Sequence, residues 1–560
     1  MSSSADTLVR GPAGGRAPHG LDTGRGRPDG VLGLRLALWL VCAGVVLLPL
    51  AVIVALGLSA DRLQLLLQGD VLEAGRNSLV SALVSAAGAV AVGTALALLV
   101  ERTDLRGRGA LRLLALSPLL VPPFVGAIAW IGLAGPASTV NRAWTEATGG
   151  PLWVVYGGDG VVFLLVVHGF PVAYLVVAAA LRRIPSDLEQ AARTSGAGPW
   201  RTVRDVTLPL LRPAALSAFT LVAISNLADF GIPSIVGLPE GYVTLSTLVY
   251  RYLQSGTVDA PLEVVATIGM VLLALAVLGV LLDVVASRSR WELEASATAS
   301  APVSLGRARA LASTVTWVLV AGVTLLPLWA LATQALLPAP GVPLTWDNLT
   351  LDSLTRALTA PTTVTGLQNS LWLSLLAGVV CAAVGLAIAT LVTRTRSRDN
   401  GALRAVAMLP QAIPGLVIAV GWLVLAPRIG LFNTPWLILA AYVTAFVALV
   451  VQTVSAPLRA TPLTAEEAAR VAGASRLRAF VDVSARMALP AATTGGVLVV
   501  LTAVRELTIS ALLLSPGSQT LGVAIFNLQQ AGAYNAASAL SLLVTIVGLA
   551  GARLAARQAA

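Results

Sequence analysis

Lysine is absent from this chain: all 37 basic residues are arginine. A phosphate-binding P-loop needs its lysine on the β- and γ-phosphates, so the sequence holds no ordinary ATPase site of its own. Cysteine and histidine are nearly as scarce, with two of each. Cys42 and Cys381 both fall in apolar stretches, which argues against a disulfide framework and for core packing. No cluster of His, Cys and carboxylate has the spacing of a metal site. Charge itself is rare: 11% of residues against 56% hydrophobic, with a mean hydropathy of +0.84, where soluble domains carry about 25% charge. A chain of 560 residues with that balance is a polytopic membrane protein, not a soluble globule. The net charge of +10 then reflects arginine sorted to one side of a bilayer and does not point to nucleic acid.

Residues 1–31 are rich in Gly, Pro, Ser and Arg without periodicity, and read as a disordered cytoplasmic tail. Leu32 to Leu58 is too long for a signal-peptide core and is expected to be a retained first helix. Apolar spans follow near 77–100, 111–134, 160–181, 213–236 and 262–286. A charged linker, 287–309, leads to a second six near 310–336, 366–393, 403–426, 435–457, 491–514 and 536–556. The expected division is therefore a tail, a first half at 32–286, the linker and a second half at 310–560, with about twelve spans. The halves repeat. Leu47-Leu48-Pro49-Leu50 recurs as Leu325-Leu326-Pro327-Leu328, and Asn77-Ser78-Leu79, Pro118, Pro122 and Trp130 recur as Asn369-Ser370-Leu371, Pro410, Pro414 and Trp422.

A second repeat lies between spans. Pro185 to Pro213 matches Pro462 to Pro490, with corresponding residues 277 positions apart. Asp187 and Thr464 are expected N-caps, with Gln190 and Glu467 three residues on in the capping-box position. Gly196 and Gly473 fall where a helix ends in a left-handed residue, and a second short helix is expected after Gly198 or Ser475. On it Trp200, Val203 and Val206, matched by Leu477, Phe480 and Val483, form an apolar stripe between arginines. Placing both motif loops inside leaves only Arg62, Arg76, Arg142, Arg251, Arg356 and Arg428 in outer loops, which puts both termini and both motifs in the cytoplasm.

Glu-Ala-Ala, three residues, Gly and a downstream Leu-Pro resembles the cytoplasmic loop of the membrane subunits of ATP-binding-cassette importers. The resemblance covers about residues 32–556 and is to a fused two-half permease of the ferric-iron type, with thiamine transporters as relatives. It implies an all-α polytopic chain of two pseudo-symmetric six-helix halves in the MetI-like permease fold, set in a bacterial cytoplasmic membrane. Gln190, Ala191, Ala192, Gly196, Trp200 and Val203, with Glu467, Ala468, Ala469, Gly473, Leu477 and Phe480, would dock on two copies of an ATPase subunit. That partner would carry ATP and Mg, with no cofactor on this chain, and an extracytoplasmic binding protein would deliver the solute. Copy one has Gln190 where the family usually has Glu, and copy two has Ala485-Arg486 in place of Leu208-Pro209. Unequal docking of the two halves is the expectation.

Charges inside spans need a reason. Asp229 and Glu506, again 277 apart, occupy equivalent places in the two fifth spans. By the resemblance they line the translocation path as an acidic constriction for a cationic solute. The structural alternative is a buried ion pair or a helix cap. His168 reads as a histidine at a helix bend bonded to a carbonyl rather than as a ligand. Pro118, Pro122, Pro123, Pro410 and Pro414 mark repeated kinks. Tyr250-Arg251-Tyr252 and Phe526-Asn527 follow the outer ends of the fifth spans, as contacts for a binding protein or interfacial anchors. Ferric iron leads as solute, followed by thiamine, phosphonate or polyamine. The rival class is a proton-coupled secondary transporter, which has no need of two capped, glycine-broken loops.

Overall fold

The computed structural model describes residues 32–58, 64–67, 69–255, 260–287 and 302–559. The N-terminal tail and most of the charged linker lie outside the described residues. Nine helices of the first half have counterparts in the second. They are α1 (Leu32–Gly57), α2 (Gly69–Arg102), α3 (Arg108–Leu116), α4 (Pro123–Ala134), α5 (Gly158–Leu181), α6 (Ser186–Thr194), α7 (Pro199–Leu227), α8 (Leu245–Gln254) and α9 (Pro261–Ser287). The second set is α10 (Arg309–Ala335), α11 (Pro361–Arg394), α12 (Asn400–Met408), α13 (Gly415–Ile429), α14 (Pro435–Ala460), α15 (Thr464–Val471), α16 (Leu477–Ala503), α17 (Leu521–Gln530) and α18 (Tyr534–Ala559).

Among the described residues ten helical segments are long and apolar enough to cross a membrane, and the bent pair Asn400–Ala412 and Gly415–Ile429 makes an eleventh. A shorter apolar helix, Tyr534–Ala550, completes six segments per half. Two spans differ in kind from the sequence expectation. The third is broken in both halves, at Val121-Pro122 and at Ile413-Pro414, the second break bending the chain by 106°. Proline has no N–H to give and disfavours a helical residue before it, so the repeated Pro118-Pro122 and Pro410-Pro414 pairs stop one helix and start another. The fifth is broken too: α7 ends at Leu227 and α16 at Ala503, short of the expected 236 and 514.

Each half is built on three tightly packed helices, α2, α5 and α7 or α11, α14 and α16. Gly93 and Gly385, 292 positions apart, allow the closest approach: a methyl on Gly93 would lie 2.7 Å from Tyr174 N, and one on Gly385 2.7 Å from Val450 Cβ. The first helix of each half crosses to the other: α1 packs on α13 as well as α9, and α10 on α4 as well as α18. Equivalent tryptophans pin these crossings. Trp39 Nε1 donates to Asp399 Oδ2 at 2.9 Å, and Trp317 Nε1 donates to the Arg106 carbonyl at 3.0 Å. The end of the linker is docked as well, since Val303 pairs with the chain at Thr103.

The repeated Asn-Ser has a definite task. Ser78 Oγ and Ser370 Oγ each accept from the first N–H of α8 and α17, Leu245 N and Leu521 N, at 2.8 Å. Asn77 and Asn369 donate to carbonyls of the preceding loops. These bonds satisfy orphan groups at helix starts and fold the two short helices back into the centre of the molecule.

Candidate functional site

Both motif loops take one backbone path. Gly196 and Gly473 end the first helix with φ of +85° and +92°, a conformation open to glycine and costly for other residues. The caps differ from the sequence reading. Pro185 and Leu463 precede the helices without side-chain caps, so Asp187 is the second residue of its helix and Thr464 the first of its own. The second helix is not a separate short piece either. It runs through a wide turn, Val203–Thr207 or Phe480–Ala485, into the membrane helix. That turn forms with Pro209 present and with Arg486 in its place, so the Leu-Pro difference leaves the path unchanged.

Four residues that hold the loops were not singled out in the sequence. Glu189 and Glu466, one position before Gln190 and Glu467, turn inward. Glu189 lies 3.5 Å from Arg102 and accepts from Thr207 Oγ1 at 3.0 Å. Glu466 lies 3.5 Å from Arg394 and accepts from Ser484 Oγ. Arg102 and Arg394 end α2 and α11, and also donate to the Leu181 and Thr461 carbonyls. Their regular offsets were the available signal. Outward, Trp200 is 73% exposed and Leu477 42%, but Phe480 is 5% exposed and belongs to the large hydrophobic core that the two halves share. The apolar stripe of copy two is thus partly spent inside the chain.

The helices leading from these loops end at the two acids. Asp229 Oδ1 accepts from Ile232 N at 2.8 Å, while Glu506 accepts from Ile509 N at 2.8 Å and Ser510 N at 3.1 Å. Each carboxylate therefore caps the short segment that resumes beyond the break. Both line one cavity of about 480 Å³, walled by the broken third spans and the ends of α7 and α16, with Pro122, Pro414, Gln411 and Arg505 on its surface. The pathway and cap readings of these acids coincide in space. Next to the cavity, Phe230, Tyr250 and Phe526 form a three-ring cluster with centroids 5.1 to 5.8 Å apart. Phe526 is buried, which corrects its reading as an outer-surface residue: α8 and α17 fold inward instead of lying at the rim.

His168 stands apart. It is half-buried in α5 against Gly126, and its Nε2 makes no bond to a carbonyl among the described residues, contrary to the expectation. No group of three or more metal-ligating side chains occurs among the described residues, and both cysteines are free and buried.

Two intertwined halves of six apolar segments, sharing a central cavity and carrying matched loops at one end, define a duplicated membrane-transport component. The chain belongs to the family of binding-protein-dependent transport system inner membrane components, whose pattern matches residues 89–291 and again 374–558. It is similar to an Fe(3+)-transport system permease protein of Haemophilus influenzae, 23% identical over 461 residues, covering 82% of this chain and 84% of the relative. A ferric transport system permease protein of Actinobacillus pleuropneumoniae is 24% identical over 347 residues, or 59% of this chain, which spans about half (48%) of that relative. A probable molybdenum ABC transporter permease protein of Haloferax volcanii is 31% identical over 222 residues, 40% of this chain and 78% of the relative.

Proposed function

We propose that this chain is the translocation subunit of an ATP-binding-cassette importer for ferric iron. An extracytoplasmic binding protein hands the solute over, and two ATPase subunits dock on the motif loops, which face the cytoplasm together with both termini. The observation that carries the reading is continuity: each motif loop is latched by a buried arginine and runs without interruption into the helix that ends at the shared cavity. A pull on α6 or α15 is thereby transmitted through α7 or α16 to Asp229 or Glu506. Ferric iron is supported by the names of relatives that span both halves. The exposed loop residues, Trp200 and Leu477 foremost, supply the docking surface, with Gln190 to Ala192 and Glu467 to Ala469 beside them.

In this reading the aromatic cluster of Phe230, Tyr250 and Phe526 closes the far side of the cavity. ATP binding draws the loops together and favours the arrangement in which these rings part, a population shift limited by the differential affinity of the ATPases for the two states. The chain performs no covalent chemistry. The test is uptake into vesicles holding this chain, its ATPase and its binding protein, with ferric iron supplied and either ATP or a proton gradient as driving force. ATP-driven iron accumulation is expected. Gradient-driven uptake without ATP overturns the reading, and ATP-driven uptake of thiamine or phosphonate without iron moves the substrate while keeping the mechanism.

A further inference from the structure

The charge around the cavity is mixed, not purely acidic. Its ionisable lining is Asp229, Arg505 and Glu506, and the two carboxylates are engaged by backbone N–H groups of the segments they cap. Arg505 is held differently. Its Nε donates to the Leu501 carbonyl at 3.0 Å, and Nη1 donates to the Leu119 and Leu120 carbonyls of the other half at 3.1 and 2.9 Å. Those two carbonyls stand at the break where Pro122 and Pro123 offer no N–H. Nη2 is left without a partner, and no carboxylate lies within ion-pair distance of this guanidinium among the described residues. A guanidinium inside a membrane normally faces a counter-charge. The equivalent position in the first half is Ala228, so this cation is single and owes nothing to the repeat.

We propose that Arg505 contacts the permeating solute and takes an anionic oxygen from it. The proposal rests on reading the cavity as the translocation path. Two sources present that chemistry: a free tetrahedral oxyanion, and an oxygen-donor anion travelling with ferric iron. In the second case the anion lowers the net charge that must cross a low-dielectric path, and Arg505 orients the complex by a charge-assisted hydrogen bond.

The experiment places the full chain in lipid nanodiscs and measures binding of radiolabelled inorganic phosphate, molybdate, and ferric chloride with and without phosphate. Wild type, Arg505→Lys and Arg505→Gln are compared. Wild type is expected to bind a tetrahedral anion, or to bind iron only when phosphate is present. Arg505→Lys keeps this binding, and Arg505→Gln weakens it by about tenfold or more, the loss of one charge-assisted bond. Anion binding without iron assigns a free oxyanion, and phosphate-dependent iron binding assigns the pair. Equal affinity of wild type and Arg505→Gln overturns the proposal, as does wild-type binding with no anion dependence. Because Arg505→Gln also loses bonds to Leu119 and Leu120, the wild-type phosphate titration decides the question if that variant does not assemble. No ATPase is present, so the two readings fail separately. Anion binding at Arg505 without ATP-driven uptake overturns the coupling reading alone. ATP-driven iron uptake indifferent to anions and to Arg505 overturns this proposal alone.

Discussion

Where the first half closes its motif loop, Glu189 meets Arg102 and Thr207; where the second closes its own, Glu466 meets Arg394 and Ser484. The surroundings of these latches then diverge. Beside Arg102, Glu101 gathers Arg112, Tyr174 and Arg182, whereas the position beside Arg394 is Thr393. Trp200 and its counterpart Leu477 both stand exposed, whereas Phe480 is buried where its counterpart Val203 is half-buried; Asp229 follows Ala228, and Glu506 follows Arg505. The repeated residues are the latch, the glycine turn, the continuous helix and the capping acid. The residues that differ lie at the exposed face of the loops and at the cavity lining. The two halves thus share one frame and differ at its ends.

The largest effect is expected from the latches, because removing one member of a buried ion pair strands the other at about 3–5 kcal/mol. Arg102→Ala and Arg394→Ala should each lower the thermal unfolding midpoint of the purified chain and abolish ATP-dependent uptake. Equal losses would mark the latches as one repeated device. If Arg102→Ala is tolerated and Arg394→Ala is not, the Glu101 network is holding the first loop in place of its latch. Phe480→Ala and Trp200→Ala sharpen the contrast further. Loss of a buried phenylalanine costs about 3–5 kcal/mol, so Phe480→Ala should read out in stability. Trp200→Ala should leave the unfolding midpoint within error and reduce ATPase coupling. Reversed outcomes would place the partner surface of the second half on Phe480 after all. Gly196→Val and Gly473→Val, each forced to positive φ, should cost about 1–2 kcal/mol, leave insertion intact and stop uptake; normal transport in both would sink the coupling role of the loops.

Much of this frame was legible in the sequence, for definite reasons. Apolar length marked the segments, and the exact spacing of the motif repeat located the loops. Asp229 and Glu506 stood out because charge inside an apolar span is costly. The breaks they cap did not, since an apolar run from 213 to 236 has the same composition whether or not the helix continues through it. Glu189 and Glu466 were missed beside Gln190 and Glu467: one residue of helix rotation, about 100°, separates the inward face from the outward one, and composition does not fix that angle. Phe526 reads as outward for a similar reason. Its helix returns to the centre because Ser370 and Asn369, on a distant helix, hold its start.

The smallest expected effect separates the two crossings. Trp39 and Trp317 are equivalent, but Trp39 donates to the Asp399 carboxylate and Trp317 to a backbone carbonyl. Hydrogen bonds from Ser397 and Trp39, together with the charge of Arg35 at 2.7 Å, hold the Asp399 carboxyl below the usual aspartate range. A depressed carboxylate stabilises the folded state at pH values above its unfolded pKa, and that contribution fades as pH falls through the lower, folded value. Acidification toward about pH 4 and below, the ordinary aspartate region, should therefore loosen α1 on the second half and leave α10 on the first half unchanged. Because Asp399 is partly exposed, the change should be slight and confined to the end of α1 near Arg35. Hydrogen–deuterium exchange over 32–57 and 309–335 at neutral and acid pH measures it, with Asp399→Asn as reference. Faster exchange in α1 alone, abolished as a pH effect in Asp399→Asn, is the expected pattern. Equal acceleration of both helices would mean that the crossings respond to a shared event elsewhere, and that their different tryptophan partners make no difference to pH response.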